Sequence, residues 1–324
     1  DRYGRKPVIL LGLATYTIGA AVCLFASTIE ILLLGRALQG LGASAGPVVG
    51  RAVLKDMFEG KQLARNIALA TMIFAFGPIV APLLGVGIMS IGSWRYIFFL
   101  IMLFGLSLLA MGALKLPETI SAKNPDATKG SILLSNALAI LRHPQSRLYA
   151  LMAGPIMAIM ITVLISLPRV FNEEFGINGT FFAVLFAIHG FGIIIGQIIN
   201  RWMINEIGIA PAMRVGAGVL FGTSLLMLAL YQLGLMTPYV LSGCMTLFAT
   251  GYLVVGANAN ALAIDPHGAI AGFVSSFLGF SGQFVASIVG FLAAMIIGGN
   301  LATFIWVVAV LTGSVLSILV FKRP

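Results

Sequence analysis

The chain opens on residues 1–10, "DRYGRKPVIL", where Asp1, Arg2, Arg5 and Lys6 press against an apolar stretch that continues to residue 27. A run of about 20 apolar residues is long enough to cross a bilayer as a helix. The same length recurs along the chain, at 7–27, 30–54, 64–90, 96–116, 147–170, 178–203, 211–233, 237–262, 268–297 and 301–321. Several runs exceed a bare span, which implies tilt or ends that project beyond the lipid. Strands of a membrane barrel would read as segments of about ten residues with period two. No stretch here has that pattern, so the sequence predicts an all-α integral membrane helix bundle with ten spans.

Composition agrees with this reading. Hydrophobic residues make up 60% of the 324 and charged residues 9%, and the mean hydropathy is +1.06. Soluble domains carry about a quarter charged residues. The net charge of +9 is a topology device. An even number of spans puts both termini on one side, and alternate loops on that side collect the basic residues, from Arg2, Arg5 and Lys6 to Lys322 and Arg323. Of the 19 Lys and Arg residues, only Arg95 and Arg169 fall on the other side, while Arg36 lies inside a span. By the positive-inside bias both ends are cytoplasmic, in a bacterial cytoplasmic membrane, and nucleic acid is excluded as a partner. Cys23 and Cys244 both fall within spans and read as small buried residues.

The longest polar stretch, "PETISAKNPDATKG" at 117–130, leads into the amphipathic "SILLSNALAILRHPQS" at 131–146. It divides the chain into an N-terminal bundle of four spans (1–116), a central cytoplasmic loop (117–146) and a C-terminal six-helix bundle (147–324). Asp1-Arg2 is echoed by Asn200-Arg201 in the matching loop of the second half, as in transporters built from parallel six-span repeats.

Three further stretches make the opening specific. "DRYGRK" resembles the latter part of the loop motif between helices 2 and 3 of the major facilitator superfamily. "GRALQGLGASAGPVVGRAVLKD" at 35–56 resembles its helix 4 motif, through Arg36, Gln39 and Gly40. "FAFGPIVAPLLGVG" at 74–87 resembles the helix 5 motif of antiporters, through Gly77, Pro78, Pro82 and Gly85. "AIAGFVSSFLGFSGQ" at 269–283 resembles helix 11 of drug:proton antiporters of the bicyclomycin-resistance type. The resemblance implies the major facilitator fold with ten of its twelve helices, numbers 3 to 12, and two more are expected ahead of Asp1. Without those two the chain is not expected to transport by itself.

Asp1, Arg2, Gly4, Arg5, Lys6 and Asp56 are expected to form a cytoplasmic latch that holds the two bundles closed on that side and opens during the cycle, and the resemblance implies that Asp1 sits near the positive end of helix 11. The same cluster also suits a solvated positive-inside rim. Arg36 is a cation inside an apolar helix, where charges are costly and mark cavities or partners. Gln39 follows three residues later on the same face. Snorkelling to the headgroups is the alternative. Pro78 and Pro82 each remove a helical hydrogen bond and are expected to bend that helix at a gate. Gly42, Gly46 and Gly50, like Gly272, Ser276, Gly279, Gln283 and Ser287, form stripes on which another helix is expected to pack. Mid-span His189 is either a proton carrier or a neutral, hydrogen-bonded interior residue. Met157, Met160, Phe248, Tyr252 and Asn258 lie on the helices that the resemblance places at the cavity. Methionine suits both adaptable binding and plain packing.

The sequence therefore points to a proton-driven efflux antiporter for drugs or related amphipathic small molecules, working by alternating access. Its partners are the substrate, protons and the bilayer; a monomer is expected, with no cofactor and no metal. The alternatives are a specific metabolite transporter, which the helix 5 motif disfavours, and a membrane scaffold. An intramembrane enzyme would need clustered His, Cys or acids, and only His189 lies mid-span. None of the ten acids sits mid-span, so the protonatable group of an antiporter is expected ahead of Asp1.

Overall fold

The computed structural model describes residues 2–120 and 129–321, without the side chains of Ala269 and of several α4 residues, Pro78 among them. All of its regular structure is helical: α1 (Arg5–Leu24), α2 (Ile29–Ala43), α3 (Ala45–Met57), α4 (Gly60–Ile91), α5 (Arg95–Lys115), α6 (Gly130–Arg142), α7 (Pro144–Phe175), α8 (Gly179–Ile207), α9 (Ile209–Gln232), α10 (Pro238–Ile264), α11 (Ala271–Ile297) and α12 (Leu301–Phe321). A 3₁₀ turn over Asp265–Ile270 joins α10 to α11. Among the described residues there is no strand.

Among the described residues, eight helices are long and apolar enough to cross a membrane: α1, α5 and α7 to α12. The expected span 64–90 lies within α4, a single helix of 32 residues. The expected span 30–54 is instead divided at Ser44 into α2 and α3. Pro47 explains the break, because it has no N–H to donate to the Ala43 carbonyl and its ring crowds that group. The Ser44 hydroxyl turns back to the Leu41 carbonyl at 2.7 Å.

The chain forms two compact units, Asp1–Phe74 with Leu84–Leu133, and Ala75–Leu83 with Leu134–Pro324. The expected central loop 117–146 is thus split between them, inside α6, and a middle segment of α4 belongs to the second unit.

In the first unit α1 is central, packed on α2, α3 and α5. Lipid tails are as apolar as leucine, so membrane helices associate through close packing of small residues. Gly12 and Gly19 of α1 meet Gly42 and Gly35 of α2. A Cβ at Gly12 would lie 2.9 Å from the Gly42 carbonyl oxygen, and one at Gly19 would lie 2.7 Å from that of Gly35. The seam therefore runs through Gly35 and Gly42, and the expected stripe continuing through Gly46 and Gly50 is not a packing face. The break at Ser44 puts those two glycines on α3, which buries Val49 and Val53 instead. A Cβ at Gly46 or Gly50 would meet nothing within 4 Å.

In the second unit α7 and α10 are the hubs, α7 packing on α10, α11 and α12, and α10 on α7, α8 and α9. On α11 the packing glycines are Gly282 and Gly290, set against Ala153 and Ile161 of α7. Gly272 and Gly279, expected to pack, meet nothing within 4 Å, and Ser276, Gln283 and Ser287 are exposed. The reason is rotational: positions 282, 286, 290 and 293 form the buried face, and the polar stripe lies on another side of the same helix.

The seam predicts a matched pair of outcomes. Gly42→Ala forces a methyl into backbone and should destabilise the folded chain by about 1–3 kcal/mol. Gly46→Ala should be neutral or slightly stabilising, since alanine is the better helix former. Thermal unfolding in detergent, followed by helical circular dichroism, compares them; equal midpoints would exclude the seam.

Candidate functional site

Three clusters hold the candidate residues. The first lies where α1 begins and α3 and α5 end. Arg5 donates from Nε to Asp56 Oδ2 at 3.0 Å, and the Thr119 hydroxyl donates to the same oxygen at 3.0 Å. Glu118 Oε1 accepts from the backbone N–H groups of Arg5, Thr119 and Ile120 at 2.8, 3.0 and 3.2 Å. Lys6 Nζ reaches the Ala113 carbonyl at 2.9 Å, and the Arg2 guanidinium sits over the Tyr3 ring. Gly4 is required twice over: its φ is +99°, and a Cβ would strike the Glu118 carboxylate. Asp1 lies outside the described residues. The structure thus brings Gly4, Arg5, Lys6 and Asp56 together, all within the first unit. Sequence reasoning missed Glu118 and Thr119, which it took only as linker. The available signal was an acid three residues past Lys115, at the level where α5 re-enters the basic rim.

The hydrogen bond from the Arg5 backbone, helped by those from the Ile120, Lys6 and Thr119 backbones, holds the Glu118 carboxyl below its ordinary range. An unfolded glutamate titrates near about 4.3. With the folded value depressed, the stabilisation is complete above the unfolded value and fades as pH falls through the folded one.

The second cluster sits on the α1–α2 seam. Arg36 Nη1 donates to Gln39 Oε1 at 2.9 Å, and the Cys23 thiol faces the same oxygen at 3.8 Å. Gln39 is 3% exposed, whereas Arg36 is exposed. Gln39 Nε2 is buried without a partner among the described residues. No carboxylate within the described residues pairs with Arg36.

The helix 5 motif lies on α4, which remains helical through both prolines instead of breaking. The Pro78 side chain is outside the described residues. Pro82 is half-buried and Gly85 likewise, and a Cβ at Gly77 or Gly85 would meet nothing among the described residues.

The third cluster is in the second unit. Met160 and Val163 of α7, His189 and Ile193 of α8, and Phe248 and Tyr252 of α10 line a small cavity of about 10 Å³, room for roughly one water molecule. His189 is 5% exposed, and its Nδ1 lies 2.6 Å from the Met245 carbonyl oxygen. Because a carbonyl only accepts, Nδ1 carries the proton and His189 acts here as a donor between α8 and α10. Its ring also packs against Phe186, centroids 5.6 Å apart. Met157 and Asn258 do not line this cavity. Asn258 Nδ2 donates to Asn200 Oδ1 at 2.7 Å, both buried between α10 and α8.

A model of the Major Facilitator Superfamily matches residues 1–290. The chain belongs to that superfamily, and so to a family of membrane transporters and not of enzymes. An uncharacterized transporter of Rickettsia felis is 30% identical over 221 residues, covering 68% of this chain and 54% of that protein, so the match spans about half of that relative's length. A bicyclomycin resistance protein homolog of Haemophilus influenzae is 26% identical over 296 residues, 91% of this chain and 74% of its own. Among solved structures, the human organic anion transporter MFSD10 superposes with a TM-score of 0.72 at 19% identity, over 98% of this chain and 78% of that one. At that identity the likeness shows the fold alone.

The Glu118 geometry predicts a specific pH response. Amide hydrogens of Arg5, Thr119 and Ile120 should be protected throughout pH 5–8 and lose protection only as pH drops below the ordinary carboxylate range. In Glu118→Gln they should exchange faster at every pH. Hydrogen exchange corrected for intrinsic rates measures this, and unchanged protection in the variant would count against the carboxylate as the tie.

Proposed function

We propose that the chain serves a proton-driven efflux antiporter for drugs or related small amphipathic molecules, working by alternating access. The observation that carries this reading is the likeness, over nine-tenths of the chain, to a protein named for bicyclomycin resistance. The Arg36–Gln39 pair at 2.9 Å supports it. A guanidinium among apolar residues is costly unless it works against a carboxylate, water or substrate. Arginine stays charged at all relevant pH, so Arg36 acts on a proton carrier or an anionic group and is not itself the carrier. Gln39 fixes its direction. The basic rim of Arg5, Lys6, Arg51, Lys55, Lys61 and Arg65 supports an orientation with both ends cytoplasmic in a bacterial cytoplasmic membrane. The Arg5–Asp56–Thr119 contacts serve as a latch that holds the cytoplasmic ends of α1, α3 and α5 as one body during the cycle. The small cavity at His189 supports a structural role for that histidine over proton transfer, since its Nδ1–H is already committed to a carbonyl.

The test uses the gene product in inverted membrane vesicles, with uptake of a fluorescent amphipathic cation driven by an imposed pH gradient. Arg36→Ala should lower the rate by at least about tenfold, equivalent to about 1.4 kcal/mol. Arg36→Lys should recover it only in part, because lysine lacks the planar fork that meets the amide oxygen and a second acceptor together. His189→Gln should retain most of the rate, because its amide N–H can still reach a carbonyl. Full gradient-driven uptake by Arg36→Ala would remove that residue from coupling, and uptake indifferent to a protonophore would remove coupling altogether.

A further inference from the structure

At the end of the first unit opposite the Arg5–Asp56 cluster, α1 finishes and α5 begins around an open groove of about 440 Å³, lined by Leu24, Phe25, Ser93, Arg95, Tyr96 and Phe99. Its floor is apolar and its rim is cationic. Arg95 is held in place from two sides: Nη2 donates to the Ala26 carbonyl at 2.8 Å, and the guanidinium carbon lies 4.6 Å from the Trp94 ring centre. Phe25 is 79% exposed beside it. Arg95 also opens α5, so the positive end of that helix's dipole lies at the same place.

Charge balance is what singles out this groove. By the charge pattern only two cations are expected at this membrane face, Arg95 and Arg169. Arg169 is neutralised by Glu173 one turn along its own helix, at 2.5 Å. Arg95 has no carboxylate within 4 Å among the described residues. An ordered guanidinium at the depth where Trp and Tyr mark the membrane interface, above an exposed aromatic groove, calls for an anionic head joined to an apolar tail.

We propose that this groove binds one anionic phospholipid, its phosphate on the Arg95 guanidinium and one acyl chain over Phe25 and Phe99. The site is separate from the Arg36 and His189 clusters and does not depend on what the protein transports.

Trp94 reports on it directly. With Trp202→Phe and Trp306→Phe it becomes the single tryptophan. The protein is reconstituted in vesicles of equal phosphatidylglycerol and phosphatidylcholine, symmetric between leaflets, with brominated acyl chains on one lipid or on the other. One basic group enriches an anionic lipid roughly fivefold, so brominated phosphatidylglycerol should quench Trp94 clearly more than brominated phosphatidylcholine. Arg95→Gln should equalise the two, Arg95→Lys should retain much of the preference, and Arg169→Gln should leave it unchanged. Equal quenching in the wild-type background overturns the proposal without recourse to any variant. A preference that survives Arg95→Gln overturns it as well. Loss of the preference on adding millimolar inorganic phosphate would make this a free-anion site and would equally overturn the lipid.

Discussion

The contact between Gly19 and Gly35 sets the geometry of everything else in the first unit. In a bilayer, helices gain nothing from hiding apolar surface from one another, so what holds α1 to α2 is the close approach that two glycines permit. Residues 35, 39 and 42 fall on one face of α2, so the approach that seats Gly35 and Gly42 also buries Gln39 against α1. Gln39 is packed so closely that a Cβ on Gly19 would lie 2.6 Å from its backbone nitrogen. Arg36, one residue round from Gly35, leaves the seam at its edge and is caught by the Gln39 carbonyl oxygen. A wider helix separation would let Gln39 rotate and would free the guanidinium. The small residues are thus the reason the charged one has a fixed direction.

The second unit solves the same problem with hydroxyl groups. Ser242, Thr246 and Thr250 recur every fourth residue along α10 and reach the carbonyls of Leu185, Ile188 and Gly192 on α8 at 2.9, 3.3 and 3.0 Å. The two threonines share their proton with the Ser242 and Thr246 carbonyls of their own helix at 3.0 and 3.1 Å. The Asn258–Asn200 bond extends the ladder and His189 adds a rung from the α8 side. Gly192 and Gly196 let α10 come close enough for these bonds to form. Each such bond contributes modestly, on the order of 1 kcal/mol, but all of them fix one rotation of α8 against α10. Asn258 belongs to this ladder, which is why it stands apart from the cavity that Phe248 and Tyr252 line.

How much of this could be read in advance follows from which signals are periodic. Span length and charge asymmetry are one-dimensional, so the helical bundle was legible; the superfamily was legible through stretches that resemble its motifs, Asp56 among the residues they named. The interruption at Ser44 was not, because hydropathy passes smoothly across Pro47. The choice between glycines at four-residue and seven-residue spacing was not either: Gly35/Gly42 and Gly42/Gly46/Gly50 are equally good stripes until the break assigns the latter two to another helix. The bonds that Glu118 accepts were illegible for a different reason, even though its place beside the basic rim was not. Its partners are backbone N–H groups, one of them 113 residues away, and a backbone donor leaves no mark in composition. The helix 5 prolines are a strong local signal, and α4 is helical through both.

The central helix of the second unit is held differently from its neighbours. α7 is tied at both ends, by Gln145 Nε2 to the Leu262 carbonyl at 2.8 Å and by Glu174 accepting from the Leu301 N–H at 2.8 Å. Between those ties, no side-chain hydrogen bond joins it to another helix among the described residues. Thr162 and Ser166, one turn apart and fully buried or nearly so, have hydroxyls without partners. Leaving such a group unpaired costs about 1–3 kcal/mol. Pro155 and Pro168 lie inside the same stretch and remove two of its backbone bonds. Where α8 and α10 are locked by a ladder, the middle of α7 rests on packing alone, so a shift of α7 along α10 is opposed by one interhelical hydrogen bond, the end tie of Gln145 to Leu262, and offers two idle hydroxyls new partners. Under the alternating access proposed above, that is the seam along which movement of α7 would be least opposed.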